Sequence, residues 1–540
     1  MYGLKMFRLL IPKRIMLLAC LTLLVLGGCT RKNSMKHNVV FISLDTTRYD
    51  YIDTGKGAHA YTPHLKKFAE NSIVFDRAFS TCTQTLPSHL SVFTSRFPHE
   101  LGVYGNDDKY DGRHKTIQQV FTELGYHTIA VTSLGTLGSE TGVNCGFQKF
   151  HEGLGESMVF FAPAEKITDE AIAAIRSAGN ERFFLFVHYS DPHTPYAPPE
   201  ITGDFLITLD EKPIAHLDSY RGAILKEKIP LTRGKHLMEF KADHGMEDFS
   251  HFVIRGLKTS EGSSFTGGTL EYSETLYGGA HRMKGPQGRI EILADKDGFV
   301  QIFQIIPILK TQSAVEYYRL EVEYMDRYVG KFLEKLDVSG FKNNTIIVLF
   351  ADHGEGHGER EGYFGHTKFL NSQFIHVPLI VKIPGWGSRR VEAPVSLAGI
   401  SPAVLEYLGC RDKDFDFDKN ILKTEEDRTG TENLIYSFAF DPSAGIHKIS
   451  IIKWPFQGIF NFSDGRLESR EYYNLDISPS FYTRDAIDDE TMTEASREYA
   501  ETFIQKIRQM SGILRVPGIR SKDLGEKEME KLRALGYIRD

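Results

Sequence analysis

Cysteine is scarce. Five occur in 540 residues: Cys20, Cys29, Cys82, Cys145 and Cys410. The first two lie in the N-terminal segment. The other three are an odd number with no tight spacing, which excludes a disulfide framework and a cysteine metal cluster. A strong charge of one sign is also missing. The net charge is −7, which gives no footing for nucleic acid as a partner. No apolar run reaches the roughly 20 residues that a membrane-spanning helix needs. No internal repeat and no long low-complexity segment is present, so repeat architectures are excluded. Apolar and charged fractions of 41% and 25% are those of a globular chain rather than a disordered one.

What is present begins at the N-terminus. Lys5, Arg8, Lys13 and Arg14 precede the apolar run IMLLACLTLLVL, residues 15–26. This is the pattern of a secretory signal. The run closes in LGGC, residues 26–29. Small residues before a cysteine resemble a bacterial lipoprotein cleavage box, with Cys29 as the acylated first residue of the mature chain. The alternative is a plain signal in which Cys29 is incidental. We therefore expect a signal over 1–28, a tether over 29–37, and a soluble body held on a membrane face. Thr30 follows Cys29, and by the same resemblance this leans to the outer membrane. The expected location is the cell envelope, on a periplasmic or outer-membrane face.

Beyond the tether, apolar runs alternate with amphipathic ones. NVVFISLD (38–45), HTIAVTS (127–133), ERFFLFVHY (181–189), TIIVLF (345–350) and HVPLIVKIPG (376–385) read as buried strands. TPHLKKFAE (62–70), KTIQQVFTELGY (115–126) and the long stretch 314–336 read as helices. The alternation predicts a mostly parallel α/β sheet flanked by helices. Residues 201–312 break the rhythm with short alternating stretches between Gly and polar turns, and read as an inserted all-β module. That module is either a plain structural insertion or a glycan- or surface-binding one. From 426 to 540 the chain reads as an α+β subdomain ending in the amphipathic KEMEKLRALGY (527–537). The catalytic body is then 38–200 together with 313–425.

Residues 85–98, TLPSHLSVFTSRFP, pose a sharper question. Pro87 suits a first helical turn, and Ser88 to Thr94 continues as a helix. Thr85 is then either an ordinary cap or an attacking hydroxyl. Three strands end in groups suited to catalysis: Asp45; His188 with Asp191 and His193; and Asp352 with His353. Ligands collect at the carboxyl ends of strands in such sheets. Asp45, Asp352 and His353 with the Thr85 hydroxyl could bind one divalent cation, which would favour the threonine alkoxide. ADHG occurs twice, at 242–245 and 351–354, but only the second follows a long apolar run. Asp243 and His244 are read as a surface turn.

SLDTTRYD, TLPSHLSVFTSRFPHELGV, HYSDPHTPY, FADHGEGHGE, GHTKF and HVPLIVKIPG, in this order, resemble the sulfatase branch of the alkaline phosphatase superfamily. The resemblance implies an alkaline-phosphatase-like fold and hydrolysis or transfer at a sulfate or phosphate ester. It places Asp45, Asp352 and His353 on the metal ligands and Thr85 on the nucleophile. His89 stands where an arginine is usual, and His193 where a histidine meets the leaving group. Lys368 falls on the lysine that holds the ester oxygens, with His366 beside it. Asp191, His193 and His366 would form at most a partial second metal site. Arg48 either orients a metal carboxylate or pairs on the surface. His188 is either a site wall or a core histidine. The pattern also departs from the family. True sulfatases convert a cysteine or serine to formylglycine, whereas oxidised threonine would be a ketone. Thr46 replaces a second aspartate, and His353 replaces an asparagine, which favours Mn²⁺ or Zn²⁺ over Ca²⁺ or Mg²⁺. These departures favour phosphoryl chemistry on a small-molecule, lipid or glycan ester. The alternatives left open are headgroup transfer of phosphoethanolamine or phosphoglycerol type, sulfuric ester hydrolysis, and a non-catalytic glycan-binding lipoprotein. Gly399 stands where relatives often carry aspartate, and the sequence offers no reason for it.

Overall fold

The computed structural model describes residues 37–476 and 494–510, apart from segments 155–160, 200–204, 218–222, 225–227, 243–248, 274–279, 424–432, 442–445 and 464–465 and positions 180, 195, 197, 303 and 342. The signal, Cys29, the closing LRALGY and the Asp243–His244 turn lie outside these residues.

An eight-stranded sheet forms the centre. From one edge the strands are Arg389–Val391, Ile73–Phe75, Leu379–Lys382, Thr345–Phe350, Asn38–Leu44, Phe183–Tyr189, His127–Val131 and Lys149–His151. Every pairing is parallel except the two made by Leu379–Lys382. Asn38–Leu44 and Thr345–Phe350 are buried at every position, as expected for strands covered on both faces. The alternation of one strand shows the two layers. Phe184 and Phe186 meet Phe121 and Phe93 of the helices Ile117–Glu123 and Thr85–Thr94. On the other face the Tyr189 hydroxyl meets Thr168 of the helix Ala164–Ala178 at 2.9 Å. That helix packs on the 26-residue helix Thr311–Leu336.

HVPLIVKIPG departs from expectation. It is two strands. His376–Val377 joins a small sheet with Ala78–Phe79 and Val395–Ser396, and only Leu379–Lys382 enters the central sheet, running antiparallel. Pro378, which cannot donate to a ladder, marks the switch. The structure also accounts for Gly399. A Cβ there would lie 1.9 Å from the Lys419 carbonyl oxygen, so the passing backbone excludes any side chain.

Within the inserted stretch, two five-stranded sheets pair antiparallel throughout. They meet face to face: Phe205 of one stands 5.1 Å from Phe252 of the other, ring to ring. Phe249 then reaches Tyr317 on the long helix. A four-stranded antiparallel sheet, Ile435 to Asn474, and the helix Glu494–Met510 follow the catalytic body. Its edge strand bonds directly to the segment before Thr85: Phe438 N donates to Thr81 O at 2.9 Å, and Gln84 Nε2 donates to Phe440 O at 3.0 Å.

His376 yields a stability prediction. Its Nε2 donates to the Asp76 carbonyl at 2.9 Å, its ring stacks on Tyr49, and burial lowers its pKa from 6.5 to about 4. Between those values the unfolded chain binds a proton that the native chain does not, so stability falls as pH falls. The loss is up to about 1.4 kcal/mol per pH unit. Other buried histidines titrate in the same range, so thermal unfolding from pH 7 to 4.5 should show a steeper fall, and His376→Gln should reduce its slope by up to about 1.4 kcal/mol per pH unit. An unchanged slope would refute the assignment.

Candidate active site and metal centre

Parallel strands deliver the groups to one place. Asp45 follows Leu44, Asp352 and His353 follow Thr345–Phe350, and His188 ends Phe183–Tyr189. All four are fully buried. One ligand atom from each of Asp45, Asp352 and His353 lies within 4.8 Å of the others. His353 Nε2 is 3.3 Å from Asp352 Oδ2, 3.7 Å from Asp45 Oδ1 and 3.3 Å from Thr85 Oγ1. Thr85 thus joins the cluster. It is the first residue of the helix Thr85–Thr94, in which every residue is buried, so its hydroxyl stands at a partially positive helix end.

The backbone that aims these groups is held tightly. Thr46 has φ 54°, unusual for a β-branched residue. Its N–H donates to Asp352 Oδ1 at 3.2 Å, and its carbonyl accepts from Tyr318 Oη at 2.8 Å. Tyr318 Oη in turn accepts from Arg48 N at 3.0 Å. The carbonyl of Asp352 accepts from Ser88 Oγ at 2.8 Å and from Ser80. After His353, a Cβ on Gly354 would sit 2.0 Å from the Gln373 carbonyl oxygen, so only glycine lets the two segments meet.

A divalent cation fits this donor set. Among the described residues, both oxygens of Asp45 and Oδ2 of Asp352 are buried without a hydrogen-bond partner. Such atoms are costly unless something positive satisfies them. Burial pushes the Asp45 carboxyl up to about 6. Burial and the neighbouring Asp45 push Asp352 up to about 8. Burial holds His353 down at about 4, so its imidazole is neutral, the form that binds metal. His353 Nδ1 stands 3.0 Å from the Gly354 carbonyl. A proton donated there leaves Nε2 facing the carboxylates as a ligand.

The other expected residues are placed as follows. His366 stacks on His353 with ring centroids 4.3 Å apart, and its Nδ1 meets Glu355 Oε2 at 3.0 Å. His193 lies 5.2 Å from His366, ring to ring, with Nδ1 donating to the Thr194 carbonyl at 2.7 Å. Asp191 Oδ1 accepts from Ala164 N at 2.9 Å, at the start of a helix. Among the described residues, no metal-type cluster joins it to His193 and His366. His188 Nε2 stands 3.3 Å from Asp45 Oδ2 and so walls the site.

Three expectations require correction. His89 does not face the reacting hydroxyl. Its Nδ1 donates to the Thr85 carbonyl at 2.8 Å and its Nε2 meets Ser43 Oγ at 2.8 Å; with Nδ1 also 3.7 Å from Asp352 Oδ2, it braces the turn and borders the carboxylates. Lys368 does not enter the cluster. Its ammonium pairs with Glu361 at 3.0 Å on the surface, with about half of each side chain exposed or more. Arg48 neither touches a metal carboxylate nor lies on the surface. It is buried, bonds Asp50 at 2.7 Å, Glu359 and the Glu355 carbonyl at 3.3 Å, and so ties down the 355–359 loop.

Sequence reasoning missed Glu355 and Tyr318. Glu355 is fully buried and pushed up to about 8 by burial. It lies inside FADHGEGHGE, three positions after Asp352, and its neighbourhood was the available signal. Tyr318 carries no local signal, because its role depends on how a helix docks.

Comparisons agree with this geometry. The Sulfatase family model matches residues 37–410. N-acetylglucosamine-6-O-sulfatase of Bacteroides thetaiotaomicron is 23% identical over 421 residues, covering 73% of this chain and 71% of that enzyme. Human iduronate 2-sulfatase is 22% identical, covering 68% of this chain and 64% of that enzyme. Lipoteichoic acid synthase 2 of Bacillus subtilis matches over a shorter stretch: 26% identity, 22% of this chain and 19% of that one. Among solved structures, an enzyme in complex with D-glucosamine-2-N,6-O-disulfate superimposes with TM-score 0.60 at 16% identity, covering 89% of this chain and 99% of that one. A phosphonate monoester hydrolase from Silicibacter pomeroyi gives TM-score 0.54 at 16% identity, covering 89% and 97%. The family match over most of the chain, on a fold that brings Asp45, Asp352 and His353 together, makes this protein a sulfatase-family hydrolase.

Proposed function

We propose that this hydrolase cleaves phosphoric esters, with Thr85 as its nucleophile and one divalent cation, Mn²⁺ or Zn²⁺, held by Asp45, Asp352, His353 and Thr85. The observation that carries the reading is the Thr85 hydroxyl 3.3 Å from His353 Nε2, the same nitrogen that lies 3.7 Å from Asp45 and 3.3 Å from Asp352. A threonine cannot yield the formylglycine of true sulfatases, because its Cβ methyl stops oxidation at a ketone. Cys82 cannot replace it. It is fully buried, and burial pushes its thiol up to about 12.

A divalent cation bound there supplies positive charge that favours the Thr85 alkoxide and the anionic ester oxygens. Thr85 Oγ1 forms a bond to phosphorus while the P–O bond to the alcohol breaks. His193, a neutral imidazole whose Nδ1–H donates to the Thr194 carbonyl, takes up the Thr85 hydroxyl proton at Nε2 and passes it to the departing alkoxide. Water then attacks the phospho-threonine, its proton passes through the same imidazole to Thr85 Oγ1, and phosphate leaves. His366, backed by Glu355, stands beside the same space and can donate to a non-bridging oxygen. The enzyme acts from the cell envelope, held by lipid on Cys29. A second reading, transfer of the phosphoryl-linked group to an acceptor alcohol, draws on the match to lipoteichoic acid synthase 2 and differs only in what discharges Thr85.

Two tests follow. Chelator-treated protein should gain thermal stability when Mn²⁺ or Zn²⁺ is added, by about 2.7 kcal/mol at a hundredfold excess over Kd. Asp45→Asn and Asp352→Asn should abolish the gain; a gain kept in both would place the cation elsewhere. Thr85→Ala should lose at least about 10³-fold in kcat with unchanged unfolding, while Thr85→Ser keeps measurable turnover. Aryl phosphate should be turned over faster than the matching aryl sulfate. Full activity in Thr85→Ala, or a preference for the sulfate, would contradict the reading.

A further inference from the structure

We propose that the end of the central sheet opposite the active site lies against the bilayer that carries the Cys29 lipid, with Trp386 and Arg389 as its contact residues. This rests on the reading of Cys29 as the acylated residue, and it refines the substrate class: esters arriving from the aqueous side, not headgroups of the anchoring leaflet.

The sheet sets the polarity. Asn38–Leu44 has His37 before it and Asp45 after it. Seven residues at about 3.3 Å each put these ends about 23 Å apart. Thr345–Phe350 and Phe183–Tyr189 run the same way, so the whole catalytic cluster is at the far end from His37. The antiparallel strand Leu379–Lys382 brings the turn after it to the His37 end, since Lys382 stands opposite Ile347 near the start of its parallel neighbour. That turn holds Trp386.

A chain of contacts joins the two features. The His37 ring is 6.0 Å from Tyr407, Tyr407 is 5.7 Å from Trp386, and the Arg389 guanidinium lies 5.2 Å over the Trp386 ring. Trp386 is 42% exposed. A lone exposed tryptophan needs no explanation; one beside the exit of a lipid tether does. Only eight residue steps separate Cys29 from His37, which reach at most about 28 Å. A tether stretched along the body would be used up merely in reaching the catalytic end. The Trp386 end is therefore the surface that the lipid brings to the membrane. Indole and phenol rings settle at the headgroup level, and arginine can keep its charge among the phosphates while its stem lies on apolar surface.

Tryptophan is rare enough to serve as the probe: the chain has two. The full chain carrying Trp454→Phe leaves Trp386 as the sole indole. It would be expressed so that acylation can occur, with the mass of the N-terminal peptide reporting on Cys29. The protein would then be bound to phosphatidylethanolamine–phosphatidylglycerol vesicles with brominated acyl chains. The expected result is an acylated Cys29, Trp386 emission shifted to the blue and quenched at least twofold, unchanged hydrolysis of a soluble ester, and no phosphate ester released from the vesicle lipids. Acylated protein with unquenched Trp386, or release of the vesicles' own headgroups, would overturn the proposed surface alone. An unacylated Cys29 would overturn the anchor and this surface together, and would leave the Thr85 chemistry standing.

Discussion

Two carboxylates face the same buried space, and the rest of the site depends on that confrontation. Asp45 and Asp352 are both fully buried, and among the described residues three of their four oxygens find no hydrogen-bond donor. Like charges at such a distance in a low dielectric cannot both persist uncompensated. A divalent cation would resolve the conflict, and a neutral imidazole and a hydroxyl stand beside the place it would take. Folding thus stores an electrostatic demand that ligand binding satisfies. The same cation would draw in an anionic ester.

Holding that conflict in place requires a stiff frame. Parallel strands aim Asp45 and Asp352 from neighbouring positions in the sheet. Thr46 adopts a backbone conformation that costs about 1–3 kcal/mol and is retained because Asp352 and Tyr318 bond it from both sides. Thr85 is steadied by His89, one turn along its helix, and by the C-terminal sheet, whose edge strand bonds residues 81–84. The C-terminal sheet therefore helps to fix the position of the segment that carries Thr85. The long helix does the same for Thr46, through Tyr318.

Much of this was legible in the sequence because it is local. Apolar runs ending in Asp45 and in Asp352–His353 predicted the strands and the convergence of these three side chains on one buried point. Thr85 before Pro87 predicted a helix start, and Thr85 is the first residue of that helix, with its hydroxyl buried. What failed was long-range. Lys368 lies two residues from His366, yet it turns to Glu361 outside; sequence adjacency does not fix which way a loop side chain points. His89 was expected beside Thr85 as a catalytic group; it lies one turn along the same helix face, bonded to the Thr85 carbonyl and 3.7 Å from Asp352 Oδ2, where it braces the cluster and does not face the reacting hydroxyl. Pro378 splits one apolar run between two sheets, which periodicity alone does not reveal. Glu355 and Tyr318 acquire their roles only through tertiary contacts.

The most direct measurement is anomalous diffraction at the manganese or zinc edge from crystals grown with the metal and a slowly turned-over phosphate ester. One anomalous peak should lie about 2.0–2.3 Å from Asp45, Asp352, His353 and the oxygen of Thr85. A peak elsewhere, or one at the carboxylates with the Thr85 oxygen turned away, would contradict the assignment of Thr85 as nucleophile.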